Sequence, residues 1–304
     1  MIYEHFIEPS VLAELAKSKR NYKDFIKQFT EPSPRVISNY PKFKSFRKMA
    51  YNALPTTEAE ITKLRLDELI AFIKESHRVV RDNEFSGERT WQENVISASE
   101  DCFADFALAQ EIQPENFSGQ VISLKDFEDG LDDLCGQAIV EKEVDKMVTA
   151  FGNLLRLSSQ ITFVDPYFNS TSKVWEVFIA LVTHSINESP NSGTSIKVIY
   201  GADKANLPSP QHLLDKLKNE HSELYQGLKN IEFMTVRTSP GGEALHNRYL
   251  ITDLAALSLG FGFDAREQGQ TDDVSLMGKQ QYETRYAQYV ELTAFDVVER
   301  ATKN

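Results

Sequence analysis

Cysteine is scarce: Cys102 and Cys135 are the only two in 304 residues. No disulfide framework is to be expected, and two thiols fit a reducing, cytoplasmic compartment. Long apolar runs are missing too. The longest, VWEVFIALV at 174–182, falls short of the ~18–20 residues a membrane span needs and reads as a buried helix. The opening MIYEHFIEPSVLAELAKSKR lacks the charged-then-apolar order and small-residue cleavage site of a secretion signal. No internal repeat or low-complexity segment is present. Positive charge is in deficit, with 33 Lys and Arg against 45 Asp and Glu, a net charge of −12. That total argues against adhesion to duplex nucleic acid over the whole surface, since phosphate binding requires a positive patch. What is there, 41% hydrophobic and 26% charged residues, suits a globular chain long enough for a sizeable core.

The charge is unevenly spread. Residues 1–81 carry 15 basic and 10 acidic side chains, residues 82–145 carry 3 and 17, and residues 146–304 carry 15 and 18. One local positive patch is therefore allowed near the start. RVISNYPKFKSFRKM (35–49) interleaves Arg35, Lys42, Lys44, Arg47 and Lys48 with Tyr40, Phe43 and Phe46. Such a stretch could track nucleic-acid phosphates while its rings stack on unpaired bases. The competing reading is a helix with core aromatics and solvated charges.

Periodicity predicts mainly helices in the N-terminal part, at 10–29, 57–80 and 91–111, with a loop at 111–120. The boundary is expected near residue 135, giving a mainly helical domain over 1–135 and an α/β domain over 136–304. In the latter, 137–159 and 173–189 read as helices, 160–168 and 195–203 as strands, 209–230 as a helix and 231–238 as a strand. ALHNRYLITD and LSLGFGFD then form two adjacent strands, and 279–302 reads as a closing amphipathic helix. The alternation implies an open mixed sheet flanked by helices.

Within ALHNRYLITDLAALSLGFGFD (244–264), a strand would point His246 and Arg248 to one side, roughly 6–7 Å apart. An imidazole beside a permanent cation makes a phosphate site. The ring can attack or donate a proton, and the guanidinium can hold two oxygens in a fork. Asp253 lies at odd parity from His246, so a supporting role suits it. Asp165, Tyr167 and Asn169 follow the 160s strand, where open α/β sheets place ligand-contacting groups. Asp272, Asp273 and Glu283 are further acidic residues able to orient the histidine, or simply surface carboxylates. SPGGEALH (239–246) offers a Gly-Gly turn through which amides could approach a phosphate, and a plain hairpin would explain it equally.

LHNRYLITD resembles the H-x-K-x4-D signature of the phospholipase D superfamily. ITFVDPYF, a helix and SIKVIYGAD resemble the opening strands of its single-motif members. The resemblance covers about residues 145–300. It implies a phospholipase D-like mixed sheet and a metal-independent phosphodiesterase without a cofactor. Two motifs would meet at a twofold axis, one histidine forming a phosphohistidine and the other protonating the leaving oxygen. His246 then acts as nucleophile or acid, Arg248 as phosphate clamp and Asp253 as support.

None of the other five histidines has a basic residue two places on, so the resemblance requires a homodimer. Arg248 replaces the family's lysine. Where the family has Gly-Ser-x-Asn this chain has GFGFD, with Phe261 and Phe263 at the phosphate-facing positions and Asp264 as an orienting or repelling anion. Similar departures occur in non-catalytic relatives that bind phospholipid. The expectation is a nuclease-like phosphodiesterase, alternatively an inactive module binding phospholipid or nucleic-acid phosphate. A helical front and an effector-like back also suit a subunit of a bacterial antiphage defence system, with a partner protein.

Overall fold

The computed structural model describes residues 1–30, 33–76, 78–110, 117–130, 134, 136–190 and 193–303. The chain divides into two compact units, Ile2–Leu134 and Cys135–Asn304, the latter joined by Met1. Both are α/β. Among the described residues no helix is long and apolar enough to cross a membrane. Cys102 is half-buried, and Cys135 lies outside the described residues.

The first unit runs β1 (Tyr3–Ile7), α1 (Pro9–Lys17), α2 (Lys19–Phe29), β2 (Arg35–Ser38), α3 (Phe43–Ala53), α4 (Glu60–Glu75), β3 (Arg78–Val79), α5 (Trp91–Asp101), β4 (Phe106–Ala109), β5 (Gln120–Ser123) and α6 (Leu124–Asp129). The expectation of a mainly helical domain is corrected: a parallel sheet of order β3-β2-β1-β4-β5 runs through it. Its strands are two to five residues long and covered on both faces, so they show no polar–apolar alternation and merge with the neighbouring helices. Ile7, Leu12, Phe25, Ile37 and Leu69 pack one face, and Phe6, Trp91, Val95 and Ala107 the other. Between the layers, buried Glu4 accepts both forks of Arg81 at 2.8 and 2.7 Å. Arg81 also donates to the carbonyls of Ala98, Cys102 and Phe103, so the guanidinium is satisfied.

Two further corrections concern this unit. The expected helix 10–29 breaks at Ser18, whose hydroxyl accepts Asn21 N–H and starts α2 afresh. The basic–aromatic stretch buries two of its three rings, and Phe43 is half-buried. Arg35 is buried on β2, and Tyr40 and Phe46 are core residues; of the five basic residues, Lys42, Lys44, Arg47 and Lys48 face solvent.

The second unit runs β6 (Gln137–Glu141), α7 (Val144–Leu157), β7 (Gln160–Val164), α8 (Ser172–Asn187), β8 (Ser195–Gly201), α9 (Pro210–Glu220), α10 (Ser222–Gly227), β9 (Asn230–Thr238), β10 (Arg248–Thr252), β11 (Ala256–Leu259), β12 (Thr271–Leu276), α11 (Lys279–Arg285), a π-helical turn (Tyr286–Val290) and β13 (Phe295–Lys303). The expected helix 137–159 is a strand plus a helix. The expected helix 279–302 ends in β13, an edge strand whose outward charges imitate helix amphipathicity.

The eight strands are ordered β13-β9-β8-β7-β10-β11-β12-β6. β7, β8 and β9 are parallel, whereas β10, β11, β12 and β6 alternate antiparallel beyond β7. One edge of the sheet therefore gathers the C-terminal ends of β7, β8, β9, β11 and β6 with the N-terminal ends of β10 and β12. Residues far apart in sequence meet there: Lys142, Asp165, Gly201, Arg248, Gly260 and Asp272.

Candidate functional site

β10 begins at Arg248, not at Ala244, so His246 stands in the loop approaching it. The ring is exposed, and its Nδ1 lies 2.8 Å from Ala244 O. A carbonyl only accepts, so Nδ1 carries a proton, and in the neutral ring Nε2 is the nitrogen with the lone pair. A fixed tautomer of this kind serves a nucleophile or a general base.

Arg248 pairs in register with Leu259, beside the end of β7. Its Nε is 3.8 Å from Asp165 Oδ1 and a terminal nitrogen 3.5 Å from Gly260 O, both long contacts, and its guanidinium lies 5.6 Å from the Tyr167 ring centroid. Asp165 is 6% exposed. It accepts Tyr167 N–H at 2.9 Å and Phe263 N–H at 3.5 Å. Burial pushes its carboxyl above the usual range against the opposing pull of those amides and Arg248. Asp165 thus faces the base of Arg248 as an ion pair without a hydrogen bond, while one terminal nitrogen reaches Gly260 O.

The GFGFD stretch divides its work. Phe261 is exposed, while Phe263 is fully buried and meets Phe163 edge-on at 5.1 Å. Gly262, at φ +89°, is wedged between Asp165 and Arg248: a Cβ there would fall 2.5 Å from Asp165 Oδ2 and 2.8 Å from Arg248 Cδ. Asp264 does not turn to His246. It pairs with Arg266 at 2.8 Å and Lys142 at 3.3 Å. Burial pushes the Asp264 carboxyl up, but Arg266 and Lys142 together outweigh it and hold it below the usual range.

The remaining expected residues are dispersed. Asp253 sits at the far end of β10, its carboxylate accepting Ser159 N–H (3.1 Å), the Ser159 hydroxyl (2.5 Å) and Gln160 N–H (3.2 Å). It ties the start of β7 rather than touching His246. Asn169 closes a turn before α8, accepting Thr171 N–H at 2.9 Å and the Thr171 hydroxyl at 2.6 Å. Buried Asp272 accepts Gly260 N–H (2.9 Å) and Phe261 N–H (3.0 Å), fixing the turn after β11. Asp273 and Glu283 are exposed.

Three contributors have no motif. Lys142, just after β6, is buried, donates to Gly262 O and pairs with Asp264; burial lowers its ammonium below the usual value. Lys204 places its ammonium 4.8 Å from the Tyr167 ring centroid. Arg285, ahead of the π-helical turn, donates to Glu243 at 2.5 Å and Gln288 at 2.7 Å, with Asn247 bonded to Glu243 at 3.4 Å. That hydrogen bond from Arg285 holds Glu243 below the usual carboxylate range. Only residue charge, scattered between positions 142 and 285, signals these side chains in advance.

Among the described residues no three His, Cys, Asp or Glu side chains are gathered as a metal site would require. No family model and no curated protein matches the sequence. A solved structure of TrmBL2, an archaeal chromatin protein, matches with 12% identity over 55% of this chain and 55% of that chain, at a TM-score of 0.30. A likeness that low carries no argument about fold or function.

Proposed function

We propose that this protein is a phospholipase D-like phosphodiesterase, a nuclease by preference, acting as a homodimer through a phosphohistidine on His246. The observation that carries the reading is an exposed imidazole, its Nδ1 proton fixed on Ala244 O, two residues before a guanidinium at the same sheet edge. His246 Nε2 attacks phosphorus, forming the P–N bond as the P–O bond to the leaving group breaks. Arg248 takes non-bridging oxygens in its fork. The imidazole of His246 from a second copy protonates the departing oxygen and then activates the water that cleaves the P–N bond. Asp165 and Gly262 hold Arg248; Lys142, Asp264 and Asp272 hold the glycine-bearing loop.

The test is hydrolysis of bis-p-nitrophenyl phosphate in EDTA. Wild type turns over; His246→Ala falls by about a thousandfold or more, as loss of a nucleophile demands. Wild-type activity in the variant overturns the assignment.

A second reading, a module that binds a phosphate without chemistry, draws on Phe261 and Phe263 in place of a hydroxyl and an amide. It predicts no turnover, with phosphate-ligand binding that survives His246→Ala but not Arg248→Ala.

A further inference from the structure

Two exposed aromatic rings bracket Arg248. Tyr167 follows β7 and is 49% exposed, and Phe261 follows β11 and is 51% exposed. β7 and β11 are the two strands that flank β10. The two rings therefore spring from backbone about two strand spacings apart, roughly 10 Å, with Arg248 between them.

Each ring is flanked by cations. Lys204 Nζ lies 4.8 Å and Arg248 Cζ 5.6 Å from the Tyr167 centroid, and Arg266 Cζ lies 4.5 Å from that of Phe261. Neither ring hangs on loose backbone: Tyr167 N–H is bonded to Asp165 and Phe261 N–H to Asp272. Both anchoring carboxylates are buried. The cations lie over the rings and account for part of each, yet about half of each ring stays open to solvent, and the phosphodiester chemistry has no use for that open part.

We propose that the site takes an unpaired polynucleotide strand, with one base stacked on Tyr167 and another on Phe261, on either side of the phosphate at Arg248. The inference rests on the phosphodiester reading of His246 and Arg248 and specifies its substrate. Every base offers a π-face, so such recognition tolerates any sequence, and the flanking cations meet the neighbouring phosphates. The two strands that carry the rings are about three times the ~3.4 Å rise of stacked bases apart, so bases taken up from both are splayed, which a duplex resists. A lipid headgroup offers no face to stack.

The experiment measures binding of fluorescent oligothymidylate, and of a duplex of equal length, to the His246→Ala protein by anisotropy. The single strand is expected to bind at least about tenfold more tightly than the duplex. Adding Tyr167→Ala or Phe261→Ala is expected to weaken the single strand by about fivefold or more each, the weight of one stacked base, while Tyr167→Phe retains binding. Equal binding of strand and duplex, or alanine variants that bind like the parent, overturns the inference. Failure of the underlying reading looks different: bis-p-nitrophenyl phosphate is not hydrolysed by protein with intact His246. Strand binding that depends on both rings would then still support the inference.

Discussion

Gly262 and Asp165 approach so closely that a side chain on the glycine would lie 2.5 Å from the buried carboxylate's Oδ2, with Arg248 Cδ only slightly further away at 2.8 Å. The second glycine of GFGFD is thus required by the Asp165–Arg248 pair behind it. Gly262→Ala forces φ +89° on an L-residue and pushes either Asp165 or Arg248 aside. A loss of about 1–3 kcal/mol in urea unfolding is expected. A larger relative fall is expected in affinity for inorganic phosphate. An alanine variant with unchanged stability and affinity would show that the three groups are not wedged.

Asp253 separates support from chemistry. Asp253→Ala leaves Ser159 N–H and Gln160 N–H without their acceptor and should cost about 1–3 kcal/mol in stability. Turnover per folded molecule is expected to stay within a few-fold of wild type at a temperature where the variant is folded. A thousandfold loss in folded protein would instead place Asp253 in the reaction.

Lys142 is held between Gly262 O and Asp264. Lys142→Met keeps the volume but leaves Asp264 with Arg266 alone. Because Asp264 is partly exposed, the expected cost is modest, about 1–2 kcal/mol, read as a lower urea midpoint. Pairing Lys142→Met with Asp264→Asn should recover part of the loss; strictly additive losses would show that the two do not interact.

The first unit carries its own pH signature. His5 on β1 is 1% exposed, stacked on Phe106 with ring centroids 4.7 Å apart, and its Nδ1 faces Tyr3 O at 3.0 Å. Burial lowers its pKa from 6.5 to about 3, with Arg35 adding to the shift. Below pH 6.5 the unfolded chain takes up a proton that the folded one refuses. Stability is therefore flat above that pH and falls by up to about 1.4 kcal/mol per pH unit below it, down to the folded value. His5→Phe should flatten that slope in urea melts between pH 6.5 and 4. An unchanged slope would assign the acid sensitivity elsewhere.

The legible part of the site was local. The spacing of His246 and Arg248 placed an imidazole and a guanidinium at one end of β10, and parity set Asp253 apart from them, at the opposite end of the strand where its carboxylate binds Ser159 and Gln160. What sequence could not carry was the meeting of distant segments. Lys142 reaches Gly262 only because β6 pairs with β12 at the sheet's edge. Asp264, alone in sequence, reads as an orienting anion until Lys142 and Arg266 are beside it. The parallel strands of the first unit hid for another reason: HFI and FALA are buried on both faces, so period-two contrast vanishes. β13 erred the opposite way, because Glu299 and Arg300 gave an edge strand the look of an amphipathic helix.

The most direct measurement is acid-free quenching of the protein during turnover of a phosphodiester, followed by mass spectrometry of the peptide containing His246. The phosphohistidine reading predicts an acid-labile phosphoryl adduct on His246 in wild type and none in His246→Ala. Turnover that proceeds undiminished in the variant, or an adduct on any other residue, would contradict it.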